Sequence, residues 1–287
     1  MVAPDRDRLR RAFKVPERAA PPPEAAPPTD ASRPEVRAFL QRRFAGFVKP
    51  RTKVALPAGE EIVTPHGPLW RRRLCYPWSH PHGERPLAAA RDADPARVAA
   101  LGRLAEPAAV QKDRVLFLDT ETTGLAGGAG TVVFAFGVAF LTTDGVVLEQ
   151  AFLRDFGEEP ALLCWFGAHL AARPVPVTFV GKSFDRHRIA ARLLVHKQVA
   201  PVLTERHLDL YHIARRQWGK QLCDVRLRTV EECKLGLWRG DDLPGSEAPA
   251  AFFDWIRDGT GPVDRVLEHN RLDVLSLVAI WGLLGSG

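Results

Sequence analysis

The pattern of apolar and polar positions changes character near residue 111. Beyond it, Val115-Leu116-Phe117-Leu118 forms a short apolar run and Thr131 to Leu141 a longer one, both rich in β-branched and aromatic residues, which predicts buried strands. Gly124, Gly127, Gly128 and Gly130 supply a turn between them, and Asp144-Gly145 supplies another before a third strand over Val146 to Leu153. Strands joined by such short turns run antiparallel. A helix over 160–172, a strand over Val177 to Val180, a helix over Asp185 to His196 and a short strand near His207 to Leu210 follow, and the last of several helices covers about 263–284. The expected fold class is α/β: a mixed sheet of three antiparallel strands and then parallel strands, flanked by helices.

The first third reads differently. Residues 16–34 hold seven prolines and many alanines, a composition that favours an extended segment with little to bury. Residues 1–34 are therefore expected to be a disordered Pro/Ala-rich tail. Residues 35–48 place Val36, Phe39, Leu40, Phe44 and Phe47 at helical spacing, opposite a basic face. A stretch rich in proline and glycine precedes a further helix over about Pro95 to Leu104. The expected organisation is a tail (1–34), a basic N-terminal region (35–110) and an α/β domain (111–287).

Composition narrows the class. With 287 residues, 46% apolar and 26% charged, the chain matches an ordinary globular protein. No apolar run reaches the roughly 20 residues of a membrane span, and the first 20 residues hold too many Arg and Asp for a signal peptide. A cytoplasmic protein without membrane association is expected. The four cysteines, Cys75, Cys164, Cys223 and Cys233, form no C-x-x-C pair, so free thiols are expected, and His80 and His82 read as a surface His-Pro-His turn rather than a metal site. The net charge of +6 is uneven: residues 1–110 carry 20 Lys+Arg against 12 Asp+Glu, and residues 111–287 carry 20 against 22. A basic arm beside an acidic domain suits phosphate binding. Arg42-Arg43 and Arg71-Arg72-Arg73 are interleaved with Phe44, Phe47, Trp70, Tyr76 and Trp78, which can stack on bases or equally pack within the protein.

Candidate chemistry lies in the acidic half. Asp119 and Glu121 end the first apolar strand two residues apart, so both side chains leave the same face and repel each other unless a cation lies between them. Asp185 stands at the start of a helix just after the fourth strand, where it is either a helix-start acid or a site residue at the carboxyl end of a parallel strand. Asp273 lies on the last helix with His269 one turn before it. Four carboxylates and a histidine at one edge fit two divalent cations, Mg²⁺ or Mn²⁺, and metal-assisted phosphodiester hydrolysis, with His269 orienting and deprotonating water.

Asp119-Thr120-Glu121-Thr122-Thr123-Gly124-Leu125, Gly181-Lys182-Ser183-Phe184-Asp185 and His269-Asn270-Arg271-Leu272-Asp273-Val274 resemble, as a set, the three exonuclease motifs of the DEDD superfamily, also called DnaQ-like, whose fold is ribonuclease H-like. More closely, residues 112–284 resemble the YprB-type ribonuclease H-like exonucleases of bacteria, with Asp209-Leu210-Tyr211, Val230-Glu231-Glu232 and Lys234-Leu235-Gly236 adding to the likeness. The resemblance implies that Asp119, Glu121 and Asp273 bind metal directly, that Asp185 helps through water or the second metal, and that His269 is the general base. It implies that Thr122, Thr123, Gly124 and Leu125 contact the terminal nucleotide, with cleavage from 3′ to 5′. It also implies work beside a DNA helicase in DNA repair. One departure is that His269 lies four residues before Asp273, the spacing of the enzymes that use tyrosine, while Glu268 holds the usual histidine position.

Gly181-Lys182-Ser183 imitates the end of a P-loop, but Pro176 stands where its first glycine belongs, so ATP binding is rejected and Lys182 and Ser183 are expected near a substrate phosphate. The function expected is a two-metal 3′-5′ exonuclease acting on single-stranded or 3′-ended DNA. RNA is an alternative substrate. A non-enzymatic nucleic-acid-binding adaptor of the same fold and a phosphatase or nucleotide hydrolase are the competing readings.

Overall fold

The computed structural model describes residues 52–124, 130–182, 185–198 and 206–286. The expected tail, the helix over 35–48, Leu125 and Ser183 lie outside the described residues. Nine strands are described: β1 (Glu60–Thr64), β2 (Gly67–Pro77), β3 (Pro81–His82), β4 (Arg85–Pro86), β5 (Val115–Thr122), β6 (Val133–Leu141), β7 (Gly145–Phe152), β8 (Val175–Thr178) and β9 (Leu208–Asp209). The described α-helices are α1 (Ala88–Asp92), α2 (Pro95–Leu101), α3 (Glu159–Ala172), α4 (Asp185–Val195), α5 (Leu210–Trp218), α6 (Leu227–Val230), α7 (Ala248–Asp258) and α8 (Val263–Gly285), and a π-helical turn over Glu231–Leu235 extends α6.

Seven strands form one mixed sheet in the order β1-β2-β7-β6-β5-β8-β9. The three predicted strands β5, β6 and β7 are antiparallel, and β8 and β9 continue beside β5 in parallel. The sheet fits the expected ribonuclease H-like arrangement. Helices cover both faces because the central strands are buried throughout: β6 and β7 expose no residue. Phe136 of β6 stacks on Phe166 of α3 at 4.5 Å between ring centres, whereas Phe117 of β5 meets Trp281 of α8 edge to face at 5.8 Å.

Two differences from the sequence reading have physical causes. The stretch before residue 95 holds four strands, two of which, β1 and β2, extend the large sheet. Three consecutive arginines hide the two-residue alternation of β2, but they are not a free basic arm. Arg71 pairs with Glu60 and Glu149, Arg73 with Glu149 at 2.7 Å, and Arg72 donates from Nε to Gln150 Oε1 at 2.7 Å. Trp70 is buried against Phe152, and the Trp78 indole donates to the Thr143 carbonyl. The second difference is β8, which ends at Thr178, two residues earlier than expected. Val180 has φ +67°, a left-handed conformation that no strand accommodates and that a β-branched side chain rarely adopts.

Candidate active site

The site is built on β5 and α8. The pleat sends Asp119 and Glu121 to one side of β5 and Thr120 to the other. Across the sheet, Asp119 faces Gly137 and Glu121 faces Ala135. These small partners leave room for α8, which crosses this side of the sheet and brings His269, Asn270 and Asp273 with it.

Three of the four acids are each held by a different partner. Asn270 donates from Nδ2 to Asp119 Oδ2 at 2.8 Å, and Arg239 donates to Asp273 while also gripping Glu231. Asp185 is reached from the opposite side of β5, where Thr120 Oγ1 donates to its Oδ1 at 2.5 Å. His269 sits between two carboxylates, with Nδ1 2.8 Å from Asp242 Oδ2 and Nε2 3.7 Å from Asp273 Oδ2. A cavity of about 300 Å³ opens beside His269, Asp273 and Asp242, with Arg228, Leu243 and Gly245 among its walls.

The electrostatics describe a site short of positive charge. Burial, followed by the charges of Asp273 and Asp185, pushes Asp119 well above the usual carboxylate value. Burial and then Asp119, Asp273 and Asp185 do the same to Glu121. Burial raises Asp185 to about 6 despite the Thr120 hydrogen bond. Burial opposes the charge of His269, but the Asp242 hydrogen bond and the Asp273 charge prevail and raise it to about 9. The imidazolium is thus part of the counter-charge. Hard carboxylate oxygens, raised by burial and then by their neighbours' charges, fit a divalent cation by donor chemistry. Among the described residues, no three His, Cys, Asp or Glu side chains stand so placed that they could hold a metal ion together. Arg239, Asn270 and Thr120 each occupy an acid instead.

The other expected residues surround this centre. Thr122 Oγ1 donates to the Gly124 carbonyl, and Thr123 exchanges two hydrogen bonds with Val132, which closes the turn after β5. Lys182 is half-buried, and burial lowers its amine. Asp209 explains the backbone at that point. One carboxylate accepts the amides of Val180 (2.9 Å), Lys182 (3.1 Å) and Tyr211 (3.1 Å), and so clamps the strained turn that precedes Asp185.

One sequence reading is corrected. His82 is not a surface turn residue: it is buried, with Nε2 2.7 Å from Ser276 Oγ of α8. Glu231, read from the sequence only as part of a motif, is fully buried against Arg239. Sequence reasoning gave no role to Thr120, Gln150, Arg239, Asp242 or Asn270. Only Asn270 left a signal, as a polar residue between Leu267 and Val274 on the apolar face of α8. The four cysteines are free, as expected. No described helix is long and apolar enough to cross a membrane.

The family model described as the RNase_H superfamily matches residues 116–284. Over 213 residues the chain is 35% identical to an uncharacterized protein, YprB, of Bacillus subtilis (strain 168), an alignment covering 73% of this chain and 51% of the relative. The chain thus spans about half the length of that curated relative.

Proposed function

Because the chain belongs to the RNase H superfamily, we propose that it is a metal-dependent 3′-5′ exonuclease that hydrolyses the phosphodiester bonds of nucleic acid, with DNA the favoured substrate. What carries this reading is one observation: Asp119 and Glu121 on β5 share a single crowded, charge-poor site with His269 and Asp273 on α8. Asp119, Glu121 and Asp273 would hold two Mg²⁺ or Mn²⁺ ions, with Asp185 assisting from beyond Thr120. Such ions, when bound, lower the pKa of water and stabilise the attacking and leaving oxygens of the phosphodiester.

The chain's own residues do the rest. Asp242 keeps a hydrogen on His269 Nδ1, which leaves Nε2 on the Asp273 side as the nitrogen that takes the proton of water. His269 becomes a base once positive charge other than its own balances Asp273. Arg239 and Asn270 orient Asp273 and Asp119. Thr122 to Leu125 contact the terminal nucleotide, and Lys182 and Ser183 approach a phosphate.

The test is to incubate the protein and its Asp119→Ala variant with 5′-labelled single-stranded DNA and RNA in Mn²⁺, Mg²⁺ or chelator. The expected result is metal-dependent shortening from the 3′ end that the variant lacks, faster on DNA. Binding without cleavage on every substrate overturns the reading in favour of an adaptor.

A further inference from the structure

Four strands place Arg72, Gln150, Gly137 and Asp119 in one straight row across the sheet, since Arg72 pairs with Gln150, Gln150 with Gly137, and Gly137 with Asp119. Direct cross-strand partners share a face. The row would be interrupted at Gly137, which has no side chain. Asn270 of α8 fills the gap: a Cβ at position 137 would lie 2.2 Å from Asn270 Oδ1 and 2.8 Å from Val274 Cγ2.

The result is a continuous hydrogen-bond chain. Arg72 Nε donates to Gln150 Oε1 at 2.7 Å, Gln150 Nε2 donates to Asn270 Oδ1 at 2.7 Å, and Asn270 Nδ2 donates to Asp119 Oδ2 at 2.8 Å. The second hydrogen on Gln150 Nε2 goes to the Leu267 carbonyl of α8 at 2.7 Å. The direction of the chain follows from two fixed groups. A guanidinium only donates and the Leu267 carbonyl only accepts, so Gln150 and then Asn270 each have one allowed orientation. Gln150 and Asn270 are both fully buried, where a reversed amide would set two acceptors or two donors against each other.

We infer that Arg72, Gln150 and Asn270 form a polarised relay that positions the Asp119 carboxylate, so that a residue three strands away sets the readiness of the site for its metal. The inference rests on Asp119 being a metal ligand, as proposed above. Arg72, Gln150 and Asn270 are positioning residues. This assigns a use to one arginine of the basic triplet that its exposed-arm reading did not foresee, and it separates Arg72 from Arg71 and Arg73, which turn to the other face and pair with Glu149.

Gln150→Glu tests the polarity directly. It keeps the size of the side chain and the acceptor for Arg72, but offers Asn270 an acceptor where a donor stood, and the Asn270 amide turns its oxygen toward Asp119. Mn²⁺ binding to the full chain, followed by electron paramagnetic resonance, reads the outcome without requiring turnover. The affinity is expected to fall by about 10- to 100-fold, the usual effect of losing a partner that orients a metal ligand. The KM for an oligonucleotide should stay near the parent value while kcat falls. Arg73→Gln, on the same strand and outside the relay, should match the parent. If Gln150→Glu does not fold, Gln150→Met takes its place, since it removes the pin on Asn270 without adding charge; weakened Mn²⁺ binding is expected there too. Parent-like Mn²⁺ affinity in the folded variant overturns the inference, and so does a parent that binds no Mn²⁺. A parent that binds Mn²⁺ but cleaves no nucleic acid overturns the exonuclease reading alone, and the affinity shift in the variants still decides the relay.

Discussion

Replacing His82 with glutamine removes a buried ring whose proton affinity the fold suppresses. The ring bonds Ser276 at 2.7 Å, and burial, followed by the positive charges of Arg239 and Arg271 and by His80, lowers its pKa from 6.5 to about 3. The folded protein therefore keeps His82 neutral in a range where the unfolded chain binds a proton. Its contribution to stability is complete above pH 6.5, falls as the pH drops below that value, and levels off near pH 3. At pH 5, some 1.5 pH units below the unfolded value, the loss is about 2 kcal/mol at about 1.36 kcal/mol per unit. The amide that His82→Gln introduces reaches the place of Nε2 and can still bond Ser276, but it does not titrate. Urea unfolding of parent and variant at pH 8 and pH 5, followed by tryptophan fluorescence, measures the effect as a difference. The advantage of the parent over the variant should shrink by about 2 kcal/mol between the two pH values. His207, also lowered to about 3, is present in both proteins and cancels. An advantage that stays constant between pH 8 and pH 5 would refute the reasoning.

Three further outcomes are expected. Asp119→Asn replaces a carboxylate whose ionisation is opposed by burial and by the charges of Asp273 and Asp185, so in chelator the variant should melt above the parent while metal-dependent cleavage disappears; a lower melting point contradicts the electrostatic account. Gly137→Ala forces a methyl into the space of the Asn270 amide and should cost about 1–3 kcal/mol in chemical denaturation, together with weaker Mn²⁺ binding. Neutral behaviour would mean that α8 shifts freely. His269→Ala should slow turnover by about 10²- to 10⁴-fold with Mn²⁺ affinity near the parent's, and an unchanged single-turnover rate removes its role as base.

The sequence exposed the parts of the fold whose signals are local. Val115 to Leu118 and the run ending at Leu141 are continuous apolar segments, and the predicted last helix over 263–284 is found as Val263–Gly285. The acids were legible for the same reason: Asp119 and Glu121 interrupt a strand whose preceding residues are all buried. What stayed hidden depends on distant partners. Arg72 looks like surface charge until Gln150, 78 residues away, is paired with it. His82 looks exposed until Ser276, 194 residues away, is packed against it. Asp242 lies in a loop whose sequence has no period, and only the folded chain brings it to His269. The shift of β8 comes from Val180, whose conformation is imposed by the Asp209 clamp and not by its own preference for extended backbone.

The helix α8 gives the site its mechanical character. It runs unbroken from Val263 to Gly285, and it carries His269, Asn270 and Asp273 on the same rod as Ser276 and the fully buried Ile280 and Trp281. No hinge separates the chemistry from the core. The backbone amides around Asp273 should therefore exchange with solvent only when the whole fold opens, and not through a local fluctuation. A weakened core contact far along α8, such as Phe117 on Trp281, then lowers the fraction of assembled sites in step with the fraction of folded molecules.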